Sequence, residues 1–88
     1  GLEERTDELS KLQSEYDRLD VECRKAEFEK DMYARLRDVN NAMLYKQKFS
    51  EKYEKCARAS EKLTKQKNAL ENEISVLKKE IYYINSLM

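Results

Sequence analysis

Seven apolar residues in the last third of the chain, Leu63, Leu70, Ile74, Leu77, Ile81, Ile84 and Met88, follow one another in steps of three, four or seven. Ile74, Ile81 and Met88 take the a position of a heptad, and Leu63, Leu70, Leu77 and Ile84 take d. Such spacing draws one narrow stripe along a helix, repeating every 3.5 residues. A lone helix cannot bury a stripe of this kind, so the chain must fold against another helix.

The rest of the composition agrees. Charged residues make up 41 % of the 88, there is no Pro or Trp, and the only Gly is Gly1. That is the usage of a long helix with a thin apolar seam between charged flanks. With no Pro or internal Gly, no tight reversal is marked. As one uninterrupted helix the chain would run to about 130 Å. A seam that reaches Met88 without a capping signal reads as a segment of a longer rod, with Gly1 foreign to it.

A first frame covers residues 2–26. Leu2, Leu9, Tyr16 and Cys23 sit at a, and Leu12, Leu19 and Ala26 at d, with Arg5 breaking the row. The C-terminal frame, followed backwards from Tyr53, passes through Phe49, Lys46, Ala42, Val39, Arg35, Met32 and Phe28. It is two residues out of phase with the first, which predicts a discontinuity near residues 26–32 within a continuing helix. Residues 28–52 form an irregular middle, because Met32, Leu36, Val39 and Met43 widen the stripe beyond what two strands need. Asn40-Asn41 is the one place for a turn. The pair lacks Gly or Pro and lies inside apolar periodicity, so the helix is expected to continue through it. Residues 53–88 are the zipper, with Ile74 at a and Leu77 at d in the parallel-dimer pattern and Ser60 and Lys67 as polar insertions.

The expected fold is therefore all-α: a single long helix in a parallel two-stranded coiled coil. Its expected dimer seam is Leu9, Leu12, Tyr16, Leu19, Cys23, Tyr53, Cys56, Leu63, Leu70, Ile74, Leu77, Ile81, Ile84 and Met88. The wide middle stripe, Met32, Leu36, Val39, Met43, Tyr45 and Phe49, is the candidate surface for a partner helix or for tetramer formation.

Formal net charge is zero, which argues against nucleic acid or an anionic membrane as the main partner. The charge is nevertheless segregated: residues 1–31 carry −5, residues 32–67 carry +6 and residues 68–88 carry −1. Such an arm and middle suit rods that lie acid on base. The basic run of Lys46, Lys48, Lys52, Lys55, Arg58, Lys62, Lys65 and Lys67 is interrupted by acids, unlike a basic-zipper helix.

Chemistry finds little purchase. The chain has no histidine, no Gly-rich phosphate loop and two widely spaced cysteines, Cys23 and Cys56. No catalytic, cofactor or metal site is expected. The cysteines read as small seam residues, with an interchain Cys56–Cys56 disulfide as the alternative if chains run parallel. Without a secretory signal or a spanning apolar run, a cytoplasmic or nuclear location is expected.

The stretch Ala34-Arg35-Leu36-Arg37-Asp38, followed by Ala42, Met43 and Lys46, resembles coil 1B of intermediate-filament proteins, lamins among them. Glu8-Leu9, Lys11, Glu15, Asp17, Leu19, Lys25 and Glu27 are similar to the preceding part of that coil, one residue out of step. The resemblance implies parallel dimers whose rods associate antiparallel and staggered into tetramers.

The expected function is a structural dimerisation and oligomerisation segment of a larger cytoskeletal or scaffolding protein, its partner a second copy and, through lateral assembly, a dimer of dimers. The alternative is an adaptor that docks another protein's helix or peptide on the irregular middle.

Overall fold

The computed structural model describes residues 1–40 and 42–87; Asn41 and Met88 lie outside the described residues. The chain forms two helices, α1 over Leu2–Val39 and α2 over Met43–Leu87. It measures 68 × 14 × 14 Å, about half the length of a single continuous helix. The one-helix expectation is thereby corrected. The chain folds back on itself between Val39 and Met43, and α2 runs antiparallel along α1. Arg5 beside Glu80, Asp20 beside Lys67 and Tyr33 beside Phe49 trace that pairing from the open end to the reversal.

The reversal uses none of the usual residues. No glycine stands there, and no described residue has a positive φ. α1 ends because Asn40 adopts an extended backbone, φ −97° and ψ 122°, in place of the left-handed cap that glycine commonly supplies. α2 begins with the Lys46 amide donating to the Ala42 carbonyl at 3.0 Å.

The phase change is corrected as well. The inward row of α1 does not break near residues 26–32 but continues past Ala26 as Lys30, Tyr33, Arg37 and Asn40, all half-buried. Phe28, Met32, Arg35 and Val39, assigned by the backward extension of the second frame, are exposed. Each frame belongs to one helix, and the offset between them falls at the reversal.

Two helices enclose only a thin core. Leu19, Cys23, Ile74, Leu77 and Ser60 are buried, and the other inward residues are half-buried. Each apolar side chain taken fully out of water is worth about 1.5–3 kcal/mol. The hairpin thus rests on a few layers, concentrated between its open end and its middle.

Candidate functional site

With no concave site to build, the functional question concerns surfaces, beginning with the seam. Every described residue of the expected dimer seam, Leu9 to Cys23 and Tyr53 to Ile84, is buried or half-buried between α1 and α2 of the same chain. Met88, the last of that set, lies outside the described residues.

A polar layer interrupts the apolar seam midway. The Lys67 ammonium donates to Asp20 Oδ1 at 2.7 Å, with both side chains 23 % exposed. It also sits 5.7 Å from the centre of the Tyr16 ring. The hydrogen bond from Lys67, more than any other influence, holds the Asp20 carboxyl below its ordinary value of 3.8. The same bond raises the Lys67 ammonium above its ordinary 10.5. Beside this pair, Cys23 Sγ lies 3.3 Å from Thr64 Oγ1 in a hydrogen bond. A charge pair so placed matches only one alignment of the helices, because a shift of one turn would leave both charges against apolar neighbours.

Toward the reversal the seam changes character. Tyr33 stacks on Phe49 with ring centres 6.3 Å apart, Lys52 lies 5.5 Å from the Tyr33 ring, and Arg37 lies 5.1 Å from that of Tyr53. Phe49 therefore faces inward, away from the set of surface residues to which the wide stripe assigned it. Lys52 and Lys67 of the basic run face aromatic and acidic partners of α1, yet only Lys67 is half-buried; Lys52 and the other members are exposed. Both cysteines are free thiols, and Cys56 donates to Glu29 Oε2 at 3.9 Å.

The remaining members of the wide stripe stand outside. Val39 is 75 % exposed and Met43 85 %, with Tyr45 exposed beside them; Met32 and Leu36 are more sheltered, at 38 % and 36 %. Val21, Phe28 and Leu44 join them, exposed apolar residues absent from the expected set. At 100° per residue, Val21, Phe28, Met32, Leu36 and Val39 fall within about 80° of arc, on the side of α1 turned away from α2. Farther back on that side stand Glu3, Asp7, Ser10, Ser14 and Asp17. The apolar row is thus confined to the half of α1 nearest the reversal. A smaller exposed group, Val76, Tyr82, Tyr83 and Leu87, lies at the other end on α2.

Among the described residues, no three His, Cys, Asp or Glu side chains are placed to hold a metal ion. Nor is any described helix long and apolar enough to cross a membrane. The grooves along the helix boundary are open to solvent, such as the one lined by Glu8, Leu12, Asn72, Val76 and Leu77. No protein-family model matches the chain, and no curated protein or solved structure matches it either.

Proposed function

We propose that this hairpin is a structural oligomerisation segment of a larger cytoskeletal or scaffolding protein, non-enzymatic, which assembles laterally through the outer face of α1. The exposed row from Val21 to Val39, on a chain whose own core is thin, is the observation that carries this reading. Large contiguous apolar surface on a soluble helix marks an interaction site, and association adds stability that two helices alone do not supply. A parallel dimer through the seam and the closed hairpin are exclusive uses of the same residues, so the unit proposed to assemble is the hairpin.

The second reading, an adaptor that docks a partner helix, draws on Met43, Leu44 and Tyr45, which widen the apolar surface around the reversal. Charging Leu36 and Met43 together, L36E/M43E, separates the two. Under the first reading, sedimentation equilibrium shows the wild-type chain as an oligomer and the variant at a lower order. If the wild-type chain and the variant are equally monomeric, the structural reading fails and the adaptor reading stands.

A further inference from the structure

We infer that the outer face of α1 is the contact for a second copy of this chain, laid antiparallel on it about a two-fold axis at Met32. The inference rests on the lateral-assembly reading and names its partner and register.

A two-fold contact is self-complementary: if residue i meets residue j, then j meets i, and each flank of the row faces the same flank of its partner. The charges of α1 fit that demand. Arg24, Asp31, Arg35 and Asp38 lie along one flank of the row, within about 60° of arc. With Met32 on the axis, Asp31 of each chain comes opposite Arg35 of the other, and Arg24 opposite Asp38. Each of these four pairings is attractive, and each is aligned along the axis to within about 3 Å. The one like-charge approach on that flank is Asp31 to its own copy, about 3 Å apart along the axis, and an Arg35 stands beyond it on either side.

The apolar residues obey the same symmetry. Met32 meets its own copy and Phe28 meets Leu36, while Val21 lies just past the end of the partner's α1. Lys25 falls opposite Val39, where its aliphatic stem can cover the valine while the ammonium stays in water. Among the described residues, neither Asp31 nor Arg35 has an ion-pair partner within the chain. Arg24 and Asp38 pair within the chain with half-buried residues, Asp20 at 3.1 Å and Arg37 at 3.3 Å, but are themselves largely exposed. Because α1 ends at Val39, the overlap of the two α1 helices runs from Lys25 to Val39, about 21 Å, and leaves the open ends of the two hairpins pointing in opposite directions.

Charge reversal and cross-linking of the full chain test this register. In sedimentation equilibrium the wild-type chain is expected at twice its single-chain mass. D31R and R35D should each weaken association by about tenfold or more, since each sets like charges opposite one another twice. The double variant D31R/R35D should return to within about threefold of wild type, because its pairings are attractive again. M32C, under mild oxidation, should give a disulfide-linked dimer well above the background from Cys23 and Cys56 in the wild-type chain. Circular dichroism of each variant shows that the hairpin is intact.

A wild-type chain that stays monomeric at every concentration overturns both the inference and the lateral-assembly reading, and leaves the row to a different partner. Association that ignores the single reversals, fails to return in the double variant, or brings no cross-link through M32C overturns the two-fold register while lateral assembly stands.

Discussion

The two ends of the hairpin are held by different chemistry. From Leu9 to Leu19 on α1 and from Leu70 to Ile84 on α2, the seam is leucine and isoleucine with Tyr16 as the one aromatic, and Leu19, Ile74 and Leu77 are buried. From Lys30 to Asn40 and from Phe49 to Tyr53, it is stacked rings and cations laid over rings, all half-buried or exposed. Branched aliphatic side chains gain by leaving water and hold the helices together without regard to what lies outside. Aromatic and cationic side chains keep much of their surface wet, so that end contributes less to closure. The same end carries the outward apolar row. One end therefore supplies cohesion, and the other supplies the surface for assembly.

Core truncation should expose this difference most. Leu77→Ala removes a buried side chain from the aliphatic end and should lower unfolding free energy by about 2–3 kcal/mol, read from urea denaturation. Phe49→Ala at the aromatic end should cost about 1 kcal/mol, because the ring is only half-buried and its stacking is a modest addition. Equal losses at the two sites would abolish the distinction.

A smaller effect should come from the polar layer between the ends. Asp20 is held below its ordinary 3.8, so the stability it adds is complete above that pH and is lost as pH falls through the lowered value. Lys67 is held above its ordinary 10.5, so its contribution is complete below that pH and is lost as pH rises through the raised value. Thermal melts should hold level between these limits and fall on the acid side. In Asp20→Asn the acid-side loss should shrink; an unchanged acid-side loss would show that the layer does not key the register.

Smallest of all should be Arg18→Ala. It removes exposed pairs to Glu15 at 3.0 Å and Glu22 at 2.9 Å, and such pairs contribute little when solvated. Its melt should overlay that of the wild-type chain. A clear drop would mean that the helix surface, and not the seam, carries stability at the open end.

Much of this was legible in the residues. Helical periodicity, two separate frames and nearly all of the inward positions can be read from the spacing of Leu, Ile, Tyr and Cys. The reversal was hidden because Asn40 breaks the helix by extending its backbone, with no glycine or proline to announce it. Lys30 and Arg37 hid the continuation of the first frame, since charged residues on a seam look like its end. One signal did exist. A two-residue offset turns the stripe by about 200°, onto the opposite side of a continuous helix. A single rod would have to face its partner from both sides at once; a chain that turns back need not. Met32, Leu36, Val39 and Met43 were legible as a wide stripe, but only the fold tells outer face from seam, and it sends Phe49 inward and brings Val21 and Phe28 into the outer row.

The antiparallel pairing also sets how this element bears load. Leu2 and Leu87 stand at the same end, so tension applied through the two ends does not shear the helices past each other. It peels them apart from the open end, one layer after another. The Ile84, Ile81, Leu77 and Ile74 layers are met first and give the peak force. Beyond the Asp20–Lys67 pair, the aromatic layers yield at lower tension. The hairpin is a fastener that resists at its mouth and then runs open toward its reversal.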